Sequence, residues 1–284
     1  YIFKMMGFVR KHVKSIRPDS VLSYNEWTNA YVLLACLGLK VPVYLSERMH
    51  PKVKLPLTTE LLRKWLYPKA AGVIAQTYFG KKVIEKRTRA ENVITIPNAV
   101  NVMEPLQVTK KKQVISVGRL EPVKGHRFLI EAFARVKETS WQLCIIGDGS
   151  QMAALKQQAS NLGISHRVNF KGHQLDFRKE LSESQIYVLP SIKEGFPNSL
   201  IEAMSLPLAC ISGDFYEGEH DLVNDGVNGL LVPLCNPEAL ALAMNRLIEN
   251  NELRMQLAEE AFKVRYDLAF NRVAEQLKDF VING

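Results

Sequence analysis

Along this chain, short apolar runs alternate with stretches in which apolar residues return every three or four positions. Residues 1–17 predict a basic amphipathic helix, with Ile2, Phe3, Met6, Val9, Val13 and Ile16 on one side. Pro18 stops it. Strands are predicted over 20–25, 41–47, 70–77 and 92–98, and helices over 28–39, 55–67 and 79–89. The alternation pauses over 97–112 and restarts at VISVG, 114–118. Beyond it the pattern predicts strands at 141–149, 167–172, 185–191, 208–213 and 229–233. Helices are predicted over 125–138, 151–162, 177–184, 199–206, 237–250, 251–265 and 270–281. Strand followed by helix, repeated, predicts parallel, doubly wound sheets, so the reading is α/β with two units in tandem. The first unit lacks a strand feeding a glycine-rich turn at its start, where such domains usually open. The expectation is therefore that it is incomplete at its front, with residues before Tyr1 missing.

Composition narrows the class. With 284 residues, 47% of them hydrophobic, the chain can bury two cores. The longest apolar stretch, Ala30 to Leu39, is shorter than the roughly 20 residues of a membrane-spanning helix, and the first residues do not read as a secretory leader. Cys36, Cys144, Cys210 and Cys235 show no paired or metal-type spacing and read as buried thiols in a reducing compartment. The net charge of +8 is uneven: residues 1–113 hold 20 of the 37 Lys and Arg but only 7 of the 29 acidic residues. A basic first half fits either an anionic membrane or plain solvation. It lacks the aromatic–basic platform of a nucleic-acid binder.

Four motifs fall at predicted strand ends, where α/β sheets bind ligands. GRLEPVKGH, 118–126, puts Arg119 and Lys124 on a loop before a helix that opens at Gly125. Two cations beside a helix start describe a diphosphate seat, or else two solvated residues of a connection. IIGDGS carries Gly147 in a turn through which backbone can approach a ligand, but it is too short for a dinucleotide fingerprint and reads first as a simple turn. FKGHQLD carries Gly172 and His173, and no second ligand at metal spacing accompanies the histidine. EGFPNSLIEAM, 194–204, holds two glutamates eight residues apart. A glycosidase pair needs carboxyls within about 10 Å, whereas eight helical residues span about 12 Å. Ser199-Leu200-Ile201-Glu202 matches a helix capping box. The amides of Asn198, Ser199 and Leu200 at that helix start also offer a phosphate seat.

Taken in order, G-R-L-x(3)-K-G, I-x-G-x-G, F-x-G and P-S-x(2)-E-G-F-P-N-x(2)-I-E-A-M resemble the retaining glycosyltransferases of the two-domain GT-B fold, family 4 (glycosyl transferases group 1). DGVNGLLVP, 225–233, adds to the likeness, which covers residues 92–284. The flavour is that of bacterial enzymes transferring N-acetylgalactosamine or galactose in surface-polysaccharide assembly. The resemblance implies two Rossmann-like domains, residues 1–109 on the acceptor side and 110–265 binding a nucleotide sugar. A terminal helix, 266–284, would pack back toward the first. It implies that Arg119 and Lys124 bind the donor diphosphate and stabilise the leaving nucleotide. Glu194 would meet the transferred sugar and Glu202 the ribose. Backbone from Phe196 through Pro197, Asn198 and Ser199 to Leu200 would hold the distal phosphate. Gly118, Gly147, Gly172 and His173 would line the rest of the donor.

The same resemblance implies no cofactor and no metal, consistent with the lack of a D-x-D motif. It implies a UDP-linked sugar as donor and a glycan or polyprenyl-diphosphate-linked acceptor. It implies a cytoplasmic protein, peripheral at the inner face of the plasma membrane and touching anionic lipid through its basic half. The chain departs from the family in lacking the glycine-rich acceptor loop, so a form that binds UDP but transfers poorly is expected. After the SE of the second strand, where many members carry His, stands Arg48, with His50 two further on. Glu47, Arg48 and His50 are therefore the acceptor-side candidates. Pro207 replaces the usual glycine after EAM. A UDP-sugar 2-epimerase on the same fold, and a non-catalytic nucleotide-sugar-binding partner subunit, are the alternatives.

Overall fold

The computed structural model describes residues 2–100, 102–218 and 221–283. It divides into two compact units, Tyr1–Ala99 with Phe270–Gly284, and Val100–Ala269. The division precedes the expected 109 because the connecting segment is tied to the second unit. Val100 bridges to Ala269, and the amides of Met103, Leu106 and Lys111 donate to Ser205 Oγ, Ser182 Oγ and the Glu183 carbonyl.

The first unit contains α1 (Ile2–Ile16), β1 (Val21–Tyr24), α2 (Glu26–Cys36), β2 (Val43–Ser46), α3 (Leu57–Leu66), β3 (Gly72–Ala75), α4 (Tyr78–Thr88) and β4 (Val93–Thr95). The four strands are parallel and lie in chain order. Strand residues point alternately to the two faces. Val43, Leu45, Val73 and Ala75 pack with Ala30, Leu33 and Ile84 from α2 and α4. Tyr44 and Ile74 face the other way and meet Val273 and Val281. The last helix of the chain, Phe270–Ile282, supplies those two valines. Asn25, expected to end the first strand, instead caps α2, its side chain accepting from the Trp27 amide at 3.0 Å. The helix therefore starts before the expected Thr28.

Glu47 follows β2 and is only 8% exposed. Its Oε1 accepts from Arg63 Nη2 at 2.5 Å and from the Tyr67 hydroxyl at 2.8 Å. Glu47, an acceptor-side candidate, thus has one oxygen that closes a buried ion pair inside the unit. Removing one partner of such a pair leaves an uncompensated buried charge. Arg63→Ala is expected to destabilise this unit by about 3–5 kcal/mol in urea denaturation. Pairing Arg63→Met with Glu47→Leu should restore most of that loss.

The second unit contains β5 (Gln113–Val117), α5 (His126–Phe133), β6 (Gln142–Ile146), α6 (Met152–Asn161), β7 (Val168–Gly172), α7 (Arg178–Glu183), β8 (Ile186–Leu189), α8 (Asn198–Met204), β9 (Ala209–Gly213), β10 (Leu230–Val232), α9 (Pro237–Glu249), α10 (Asn251–Phe262) and α11 (Val264–Asp267). Its six strands are parallel in the order β10-β9-β8-β5-β6-β7. Buried residues of β5, β6 and β8 pack against Leu129, Ile130 and Phe133 of α5 and Met244 and Leu247 of α9. Asn236 and Asn250 start α9 and α10 as side-chain caps. Cys36, Cys144 and Cys210 are buried, but Cys235 is exposed, against the expectation of four buried thiols. It sits with φ 55° in the turn between β10 and α9, outside either packed element.

Candidate functional site

The order of the second sheet fixes where chemistry can gather. From β5 the chain moves outward through β6 to β7, then returns to the other side of β5 with β8. At such a reversal the loops leaving the two central strands diverge, opening a crevice at their carboxyl ends. The loop after β5 carries GRLEPVKG, and the loop after β8 carries PSIKEGFP. The two strongest motifs thus flank one crevice.

Both loops are held by backbone as well as side chains. The Ile192 amide donates to the Val123 carbonyl at 2.9 Å. Pro122–Lys124 forms one 3₁₀ turn, and Gly125 follows at φ 69°. A Cβ there would lie 2.0 Å from the Pro190 carbonyl oxygen, so glycine is what lets the loops touch. Lys124 Nζ then donates to Glu194 Oε1 at 2.6 Å, and Ser191 Oγ donates to the same oxygen at 2.7 Å. Glu194 is 8% exposed. Both of these bonds use Oε1, and among the described residues Oε2 makes no hydrogen bond.

The Gly147 segment is a turn, as its sequence first suggests. The backbone it approaches is the chain's own: a Cβ at Gly147 would stand 1.9 Å from the Gly118 carbonyl oxygen. The Leu120 amide donates to Asp148 O, Gln151 to Leu120 O, and Gly147 to Gly172 O, all within 2.9 Å. Glu121 accepts from both the hydroxyl and the amide of Ser150, which hold its carboxyl below the ordinary value. The β6 and β7 loops therefore brace the β5 loop from the side away from β8. Arg119 stands exposed on that braced loop, and His173 is exposed beyond Gly172.

Helix α8 starts at Asn198, with Pro197 in the cap position and no side-chain cap. The expected capping box does not form. Ser199 lies inside the first turn, and its Oγ accepts from the Tyr187 hydroxyl at 2.9 Å. Of the three amides expected to be free, Asn198 N–H donates to Phe196 O and Leu200 N–H to Pro197 O, both at 3.0 Å. Phe196 and Pro197 are buried beneath the loop, and the Tyr216 hydroxyl donates to Gly195 O at 2.6 Å. Glu202 is half-buried on α8, and no hydrogen bond is recorded for its carboxylate among the described residues. Burial alone raises its carboxyl above the ordinary value.

Beneath the crevice, His126 opens α5 with Nε2 3.4 Å from Ser116 Oγ. Burial, with the charge of Lys124 adding to it, pushes the ring down to about 4, so it is neutral near pH 7. Ser191, Tyr187 and Tyr216 also shape the loops and were not singled out from the sequence. Only the serine had a signal, in the P-S that precedes the glutamate motif. Arg48 and His50 lie in the first unit, on the loop after β2. Arg48 Nη1 donates to Asn98 Oδ1, and His50 Nδ1 accepts from the Lys52 amide at 3.2 Å. Among the described residues no group of three or more His, Cys, Asp or Glu is placed to hold a metal ion.

The family model for glycosyl transferases group 1 matches residues 101–264. A Campylobacter jejuni N-acetylgalactosamine-N,N'-diacetylbacillosaminyl-diphospho-undecaprenol 4-alpha-N-acetylgalactosaminyltransferase is 31% identical over 268 residues, covering 89% of this chain and 73% of its own. A second enzyme of that organism, which adds alpha-1,4-N-acetyl-D-galactosamine to a GalNAc-extended diNAcBac-PP-undecaprenol, is 25% identical over 279 residues, covering 96% and 77%. In structure, Anabaena HepE in complex with UDP superposes with a TM-score of 0.84 at 21% identity, covering 98% of this chain and 80% of that one. The fold is GT-B, and the chain belongs to the glycosyl transferases group 1 family.

Proposed function

We propose that the chain moves a hexose or N-acetylhexosamine from a UDP sugar to a lipid-linked or polysaccharide acceptor, with retention and without a metal. The observation that carries this reading is the Lys124–Glu194 pair closed across the β5/β8 crevice. An ammonium has three N–H donors, and one on Glu194 leaves two for phosphate oxygens. Exposed Arg119 adds a planar fork on the same loop. Phosphate charge grows as the bond to the sugar C1 breaks, and cations already fixed at that place stabilise it without reorganisation. In this reading Glu194 Oε2 accepts from a sugar hydroxyl, and the Glu202 carboxylate, which makes no hydrogen bond among the described residues, accepts from ribose hydroxyls. In retention the acceptor oxygen arrives on the face the phosphate leaves. The departing phosphate oxygen is then the nearest base for the acceptor's proton.

Glu202 gives this reading a pH signature. Donor affinity is expected to fall as Glu202 takes up a proton. Because burial raises its carboxyl, the fall begins at a higher pH than for an exposed glutamate. Glu202→Gln is expected to weaken UDP binding about tenfold at neutral pH and to lack that acid limb. A purely structural Glu202 would lower the melting temperature and leave UDP affinity intact.

The reading also places the protein at the cytoplasmic face of the plasma membrane. The basic first unit and the undecaprenol-linked substrates named for the two Campylobacter relatives support this. No helix of the described residues is long and apolar enough to cross a bilayer. The test is a panel of UDP sugars with undecaprenyl-diphosphate-linked oligosaccharides, followed by mass spectrometry and anomer assignment by NMR. Acceptor-dependent transfer, slow in a chain that lacks the glycine-rich acceptor loop, with an unchanged anomer and no loss in chelator, is expected. A 2-epimer formed without acceptor, or donor binding with no transfer, would overturn it.

A further inference from the structure

Helix α3 presents a surface unlike the rest of the first unit. Its inner stripe is Thr59, Arg63 and Leu66, all buried. Its outer stripe should be polar in a water-facing helix. Instead Leu57, Leu61 and Trp65 follow one another at four-residue steps and are 75%, 51% and 75% exposed. Residues four apart lie one above the other, so the three form a single ridge. Exposed apolar residues are ordinary when scattered; an aligned row ending in tryptophan marks a contact surface.

The charge around the ridge indicates what it contacts. Lys64 on the helix, and Lys54 and Lys69 just before and after it, are exposed. The one acidic residue of α3, Glu60, accepts from Arg63 with both oxygens at 3.2 Å, which takes it out of the outer surface. A second copy of the chain packing ridge to ridge would set these lysines against one another, since a twofold contact pairs like surfaces. The ridge is also only about 12 Å long, too small for a stable dimer interface. A phospholipid surface supplies both an apolar layer for the ridge and negative charge for its flanks. Helix α1 repeats the theme, with Lys4, Lys11 and Lys14 outward and Phe3 86% exposed.

We propose that α3 docks on an anionic bilayer, with Leu57, Leu61 and Trp65 entering the headgroup–acyl boundary and Lys54, Lys64 and Lys69 on lipid phosphates. This rests on the membrane-surface reading above and names the surface that carries it. The test uses the full chain with phosphatidylcholine vesicles, alone or containing phosphatidylglycerol. Flotation is expected to recover the protein with the anionic vesicles, and added salt should release it. Leu61→Ser with Trp65→Ser is expected to weaken vesicle binding about tenfold or more. Lys64→Gln should weaken it about fivefold. In a Trp27→Phe background, brominated lipid should quench Trp65, because Trp141 is buried. UDP binding by thermal shift should be the same in all these variants, so failure here is distinct from failure of the donor site. No flotation with anionic vesicles, flotation indifferent to the Leu61/Trp65 change, or a dimer in solution abolished by that change would overturn the proposal.

Discussion

Lys124→Ala is expected to lower turnover about 10²-fold or more and to lower the melting temperature of the second unit as well. The two effects share one cause. Lys124 is the cation bonded to Glu194, and Glu194 is buried with its Oε1 committed to that bond and to Ser191. Removing the ammonium takes a fixed positive charge from the departing phosphate and strands a carboxylate, at a stability cost of about 1–3 kcal/mol. Arg119→Ala is the informative companion. Arg119 is exposed, and among the described residues its side chain makes no hydrogen bond. Its removal should cost turnover to a similar degree while leaving the melting temperature unchanged. Steady-state rates and thermal unfolding on the two variants separate the roles. Near wild-type rates for both would end the diphosphate assignment.

Gly125→Ala is expected to abolish UDP binding in a chain that still folds. The new methyl would meet the Pro190 carbonyl 2.0 Å away, and its φ of 69° is unfavourable for alanine. The β5 and β8 loops would have to part, drawing Lys124 from Glu194. The expected cost is about 3 kcal/mol or more. Gly163→Ala is the control. It has almost the same φ, 70°, but nothing within 4 Å of the added carbon. It should cost about 1 kcal/mol and leave UDP binding intact. Calorimetric titration with UDP and urea melts on both variants test the pair. Equal losses would show that backbone conformation, and not loop contact, is what matters at Gly125.

Most strands of this molecule were legible because parallel strands buried on both faces read as unbroken apolar runs. The runs VISVG and QIYVLPS give β5 and β8 almost to the residue. Their adjacency was not legible. It comes from the sheet order, which brings residues 70 positions apart into the Lys124–Glu194 bond. The motifs lie on the two loops that the sheet order brings together, but each loop alone allowed a bland reading. Local patterns failed where a distant side chain competed. Ser199 has the spacing of a cap, yet Pro197 takes the cap position and Tyr187 claims the hydroxyl. Glu47 looked available after its strand, but Arg63 and Tyr67 lie 16 and 20 residues further on and bury it. The Gly147 turn reads first as a simple turn, and its close approach is to the Gly118 carbonyl of the neighbouring strand end.

The proposed seat of the nucleotide diphosphate is the crevice between the β5 and β8 loops. Amide hydrogen exchange of the chain with and without saturating UDP probes that seat segment by segment. The expected result is slowed exchange in two segments, 118–125 and 194–204, with the α3 segment 57–66 unchanged. Protection confined to other parts of the second unit, or none at saturating UDP, would contradict it.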